Sequence, residues 1–259
     1  MNEIVGDIYI ASFDIGDINF AIYIESFDII QLKELNKKYK KNERWNNKTF
    51  IDEVCMNGKR IYTEVKNLRG DVKDKNLTNR TRINLFEYLD SLSNLLRKVD
   101  IILVENQYQR IIGRGMKRRV EANMKAIKIS ECVMTYFLLR YPEKHIELFQ
   151  SSNKTHTLGA PKSIKTKPER KKWCTIFAED VYNLRDDKGM KLLYKIISEN
   201  FNKKRDLKKT EIILKNIKNK EIDILILLKL YLNEKQKLDD ISDCLCQAQA
   251  YKIKLLKDL

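Results

Sequence analysis

The chain has 259 residues, 43% of them hydrophobic and 34% charged, which is enough apolar material for a large domain and too much charge for the membrane class. Its 51 basic residues against 36 acidic ones give a formal net charge of +15, pointing to a polyanionic partner, most simply nucleic acid. An A+T-biased coding sequence, rich in Lys, Asn and Ile codons, is the competing source of that excess.

The N-terminus, MNEIVGDIYI, starts acidic and offers no small-residue cleavage site, so an intracellular protein is expected. Cys55, Cys132, Cys174, Cys244 and Cys246 include no CxxC pair, which argues against a zinc site or a secreted disulfide framework. His145 and His156 are too few for a histidine-based metal site. Carboxylates would have to hold any metal, which suits a hard cation such as Mg2+ or Mn2+.

Residues 8–26, IYIASFDIGDINFAIYIES, read as two β-strands joined by a turn at Asp14, Gly16, Asp17 and Asn19, with Gly16 supplying tolerance of positive φ. Asp14 ends an almost wholly apolar run, where a partly desolvated carboxylate needs a cation, a metal or a hydrogen-bond donor. The lysine-rich stretch 33–48 reads as a loop or short helix inserted after the second strand. Residues 50–55 and 60–65 read as short extended pieces across an Asn57-Gly58 turn, a source for a third strand. Ile83, Phe86, Leu89, Leu92 and Leu96 recur at helical spacing over 79–98.

Residues 100–105, DIILVE, predict a strand buried on both faces that ends on Glu105. A glutamate there either caps the strand at the surface or stands where ligands of α/β sheets collect. The stretch 110–119 carries Arg110, Arg114, Lys117, Arg118 and Arg119 with no acid, a loop suited to gripping phosphates. A helix over 120–141 follows, with an apolar face for the core or for a second subunit. Residues 145–149 read as a strand, with Lys154 just past its end in a polar loop. The basic stretch 162–172, with Pro161 and Pro168 at or near its ends, reads as a flexible DNA-facing segment carrying Lys162, Lys165 and Lys167. Helical patterns cover 173–182, 188–201, 203–220 and 222–232. The last helix begins near Asp239 or Asp240, and the three-residue spacing puts Asp240 and Asp243 on one face. Acids at a helix start also suit capping and the macrodipole alone.

An Asp in the first strand of a hairpin, a Glu ending a later buried strand, and a D-x-x-D pair opening the last helix form an ordered set. It resembles the RuvC type of the RNase H-like superfamily, and more closely the Holliday-junction resolvases of poxviruses and other large DNA viruses. Phe13-Asp14-Ile15-Gly16 with Asn19, Leu103-Val104-Glu105-Asn106-Gln107, and Asp239-Asp240-Ile241-Ser242-Asp243 with Leu245 and Gln247-Ala248 carry the resemblance.

The resemblance implies an α/β fold in which a five-stranded mixed sheet is flanked by helices, as one nuclease domain over 1–259. The stretches 33–48 and 155–236 are longer than a compact resolvase requires and read as insertions. Asp14, Glu105, Asp240 and Asp243 would hold Mg2+, with Mn2+ as a substitute and two ions per site. Lys154 is the best match to the family's active-site cation, with Lys144 and Lys162 as alternatives. The implied activity is paired, symmetric nicking of four-way DNA junctions by a homodimer, leaving 5′-phosphate ends, with the 120–141 helix at the interface. No small-molecule cofactor or membrane is implied, and a viral replication compartment is the implied place of action. Two other readings stand beside it: an RNase H-fold nuclease acting on RNA–DNA hybrids or other branched DNA, and a non-catalytic basic nucleic-acid-binding protein whose acids are caps and surface charges.

Overall fold

A computed structural model describes residues 6–40, 44, 47–70, 77–107, 110–112, 119–121, 123–200 and 238–258, with backbone only at 110–112, 119–121, 152–153, 196–200 and 257–258. The opening hairpin is β1 (Asp7–Asp14) and β2 (Phe20–Asp28), paired antiparallel with Asp14 opposite Ala21. Its strands carry apolar residues on both faces because both faces are covered. Ile8, Ile10, Ala21 and Tyr23 enter one core, and Ala11, Phe13, Phe20 and Ile22 the other.

β3 (Lys59–Lys66) adds antiparallel to β2, while β4 (Ile101–Asn106) adds parallel to β1 and β7 (His145–Gln150) parallel to β4. The sheet order is β3-β2-β1-β4-β7, with the Asp14 strand at its centre. That order, with those directions, is the RuvC-type, RNase H-like arrangement that the sequence resemblance implies. A separate two-stranded ribbon, β5 (Arg110–Ile112) and β6 (Arg119–Glu121), lies in the basic stretch.

One face of the sheet is covered by α3 (Asn79–Ser91), α4 (Ser93–Leu96) and α5 (Met124–Arg140), through Leu85, Leu89, Leu96, Ile129, Val133 and Phe137. The other is covered by α2 (Lys48–Met56), α7 (Lys167–Leu184), α8 (Lys188–Asn200) and the long C-terminal helix α9 (Leu238–Asp258). α1 (Ile29–Lys38) continues from β2 and buries Ile29 and Leu32 in that second core. α6 (Ser151–Thr157) follows β7 directly.

Several sequence expectations are corrected. Residues 50–55 are helical within α2: Asn47 caps it by accepting from the Phe50 N–H at 3.2 Å, and Phe50, Ile51, Val54 and Cys55 form one buried helical face. The helix expected over 79–98 breaks at Leu92 into α3 and α4. The one expected over 120–141 begins at Met124, capped by Asn123, because the preceding residues pair as β6. Lys154 stands on α6 and is buried, so it is not in a polar loop. The 162–172 stretch is helical from Lys167, where Thr166 and Glu169 form a capping box and Pro168 sits in the first turn, a position that needs no N–H. Gly16 has no positive φ; glycine is needed there because a Cβ would lie 2.7 Å from the Asn19 carbonyl oxygen. The helical patterns at 203–220 and 222–232 lie outside the described residues. Among the described residues no helix is long and apolar enough to cross a membrane.

Candidate active site

Five of the residues singled out in the sequence meet at one end of the sheet. Phe13 is the register partner of Val104 across the parallel β1–β4 pair, so the next residues, Asp14 and Glu105, finish adjacent strands side by side. α9 packs across β1 and β2 and brings in Asp240 and Asp243 one turn apart. Ser242, between them, is fixed by Tyr194 of α8 at 2.8 Å and donates back to the Leu238 carbonyl at 2.8 Å. α6 delivers Lys154, whose Nζ stands 3.2 Å from Glu105 Oε1 and 3.2 Å from Asp243 Oδ1. Gln107 donates to the other Glu105 oxygen at 2.8 Å.

The electrostatics are those of crowded acids. Burial pushes the Asp14 carboxyl well above the ordinary range, the Glu105 and Asp243 charges push it further, and Lys154 opposes them. Burial also works against an ionised Glu105, but Lys154 and hydrogen bonds from Asp14, Lys154 and Gln107 hold it below its usual value. The two neighbouring carboxyls are thus driven in opposite directions, Asp14 up and Glu105 down. Burial would discharge Lys154, yet Glu105, Asp243 and Asp14 hold its ammonium charged far above the usual lysine range. Asp240 rises to about 6, mainly through burial, with Lys171 opposing and Asp239 and Asp243 adding to the rise.

These residues suit a hard divalent cation. Every acidic donor is an oxygen, burial and the neighbouring acids raise the Asp14 carboxyl, and Asp240 Oδ2 is buried without a hydrogen-bond partner. Among the described residues no three acids already stand as a ready coordination shell. The ammonium groups of Lys154 and Lys171 lie among them, and ligation requires carboxylates to turn away from these lysines.

The alternative lysines lie elsewhere: Lys144 donates to the Arg97 carbonyl at 2.8 Å, and Lys162 is exposed. Lys165 and Lys167 are exposed around the start of α7. Arg110 and Arg119 lie on the β5–β6 ribbon, their side chains outside the described residues, as are Arg114, Lys117 and Arg118 altogether.

Sequence reasoning missed Lys171 and its contact with Asp239, at 2.6 Å. The signal for that helix was the T-x-x-E start at 166–169. It also missed a cation pair at the hairpin tip, where Asp17 accepts from Arg69 and, at 3.3 Å, from Lys125. A cavity of about 630 Å³ between α2 and α7, walled by Ile51, Trp173 and Phe177, includes none of the site acids.

A five-stranded mixed sheet in the order β3-β2-β1-β4-β7, with a buried acid–lysine cluster where β1 and β4 end, has the RNase H-like arrangement of strands. Over 267 residues, 96% of this chain and 91% of the relative, the chain is 30% identical to "Uncharacterized protein 170L" of Invertebrate iridescent virus 6, and it belongs to that protein's family. It is 28% identical to "Uncharacterized protein 97L" of Invertebrate iridescent virus 3 over 186 residues, 66% of this chain and 84% of the relative. No protein-family model matches the chain. A Thermus thermophilus RuvC structure superposes with a TM-score of 0.47 at 9% identity, over 97% of each chain. The fowlpox virus Holliday junction resolvase does so with a TM-score of 0.38 at 14% identity, over 97% of this chain and 100% of that one. The fold rests on the strand order and directions, not on these superpositions.

Proposed function

We propose that the chain is a metal-dependent, structure-selective endonuclease that resolves four-way DNA junctions by paired nicks. The observation that carries this reading is the buried contact set of Asp14, Glu105, Lys154 and Asp243, completed by Asp240 with its unpartnered oxygen. Caps and surface charges do not account for a lysine 5% exposed between two acids of different elements.

Asp14, Glu105, Asp240 and Asp243 are the residues that would hold Mg2+ or Mn2+, two ions in the full scheme. When bound, the metal supplies Lewis-acid activation of water and charge stabilisation at the leaving 3′-oxygen. Asp14 would serve as a carboxylate ligand, and a bound cation would offset the like charges of Glu105 and Asp243 beside it. Glu105 would be a second ligand, its carboxyl held below the usual range by Lys154 and Gln107. Lys154 keeps a fixed ammonium that offsets negative charge growing on the attacked phosphate, with no reorganisation at the moment of reaction. Gln107 holds the Glu105 carboxylate in orientation.

The DNA-contacting set is the basic stretch 110–119 together with Lys162, Lys165 and Lys167, to which Arg69 and Lys125 are added here. Lys125 lies in the first turn of α5, a turn without an acid. With Arg69 it outnumbers the one carboxylate of Asp17, a surplus suited to phosphate. A two-fold substrate calls for a two-fold enzyme, and Leu138 and Leu139 of α5, 55% and 77% exposed, supply apolar surface for a homodimer.

The test is a substrate panel in Mg2+: four-way junction, flap, linear duplex and RNA–DNA hybrid. Selective cleavage of the junction supports the reading. Cleavage confined to hybrid or flap favours another RNase H-fold nuclease, and binding without cleavage in both Mg2+ and Mn2+ overturns catalysis.

A further inference from the structure

Lys171 reaches the acid cluster from α7, part of the long stretch that the resolvase resemblance leaves unexplained. Its Nζ lies 2.6 Å from Asp239 Oδ2 and 3.1 Å from Asp240 Oδ1. The two lysines of the cluster differ in freedom. Lys154 is 5% exposed and shared by Glu105 and Asp243, so its withdrawal would strand two buried acids. Lys171 is 28% exposed, and on leaving Asp240 it would still keep its shorter contact, to Asp239.

We propose that Lys171 is a displaceable counter-ion of the candidate metal site: it covers Asp240 in the metal-free protein and retreats onto Asp239 when a divalent cation takes that carboxylate. This rests on the metal-dependent reading above. Asp240 Oδ2, buried and unpartnered, is the open valence an arriving cation would meet first. The backbone need not move. Cys174, Ala178 and Val181 of α7 share one buried core with Ile241 and Leu245 of α9, so only the lysine side chain shifts. Lys171 is then a positioning residue that sets metal affinity, and it gives α7 a function at the site. A lysine that merely tied α7 to the start of α9 would have no reason to oppose metal.

The experiment is calorimetric titration of Mn2+ into the metal-free full chain without DNA, with Asp14→Asn identifying binding at this site. Lys171→Gln is expected to tighten Mn2+ binding roughly fivefold, the scale of removing one partly exposed ion-pair competitor. Lys171→Arg, which keeps the cation, should stay near wild type. Asp239→Asn should weaken binding, because the lysine then has only Asp240 to hold. Unchanged or weaker affinity in Lys171→Gln, with a wild type that binds Mn2+ in an Asp14-dependent way, overturns this inference alone. A wild type that binds no Mn2+ overturns the metal-dependent reading and this inference with it. Should melting curves show that Lys171→Gln fails to fold, Asp239→Asn decides: unchanged or tighter binding overturns the inference.

Discussion

Phe13 and Val104 are register partners across the parallel β1–β4 ladder, and that pairing sets Asp14 against Glu105 at the carboxyl ends of adjacent strands. Side chains alternate along a strand, so a slip of one residue would put the two acids on opposite faces. Burial and the Glu105 charge then raise the Asp14 carboxyl. A group whose folded pKa exceeds its unfolded one costs stability as pH rises above the unfolded value and through the folded one. Asp14→Asn is therefore expected to raise the melting temperature of the metal-free protein at neutral pH. The same change should abolish the rise in melting temperature on adding Mn2+. Thermal melts with and without metal check both effects.

Removing the ammonium that joins Glu105 to Asp243 leaves two buried acids unpaired. Lys154→Met is expected to destabilise the fold by about 3 kcal/mol in urea titrations at pH 7. Glu105→Gln in the same chain should recover part of that loss. Equal stability of Lys154→Met and wild type would contradict the burial and pairing described for Lys154.

A second buried charge cluster ties α9 to the sheet. Glu25 of β2, fully buried, meets Arg185 at 2.7 Å and Lys252 of α9 at 3.0 Å, while Gln249 donates to it at 2.9 Å. The space is filled: a Cβ on Gly58 would lie 2.5 Å from an Arg185 nitrogen. Burial opposes its ionisation, but Arg185 and Lys252 bring Glu25 down to about 2. A depressed carboxyl gives stability that is present above its unfolded pKa, about 4.3, and lost as pH falls through about 2. Stability should thus decline over that acid window, by on the order of 3 kcal/mol from this group. Glu25→Gln should flatten the decline, as read from denaturant midpoints at stepped pH.

Arg69 and Lys125, held at the hairpin tip by Asp17, are expected to contact DNA phosphate. The double substitution Arg69→Gln, Lys125→Gln should weaken junction binding and reduce the salt slope of log K by about one per cation removed. Nicking at saturating DNA should change little. Anisotropy titrations across salt concentrations measure the slope, and an unaltered slope removes these residues from the DNA surface.

Much of the site frame was legible because its strands announce themselves. The runs before Asp14 and Glu105 are apolar without alternation, as strands covered on both faces must be. The spacing of Asp240 and Asp243 fits one helical face. What escaped has local causes. Phe50, Ile51, Val54 and Cys55 make too short a run to separate helix from strand by period, and the Asn47 cap was the overlooked signal. Lys171 was hidden in a stretch whose prolines and lysines suggested a solvated chain, whereas Thr166 and Glu169 start a helix there. The Arg69–Asp17 contact joins residues far apart in sequence through the β2–β3 pairing, and no local pattern reports it.

Metal-dependent, paired cutting at a branch point is the activity proposed for the Asp14 cluster. Mapping nicks on each strand of a labelled four-way junction, with wild type and Asp14→Asn in Mg2+, tests it most directly. Symmetric nicks in two opposed strands are expected from the wild type, with a loss of at least about a hundredfold in rate for Asp14→Asn. Absence of cutting by the wild type in both Mg2+ and Mn2+, or cutting that survives unchanged in Asp14→Asn, would contradict it.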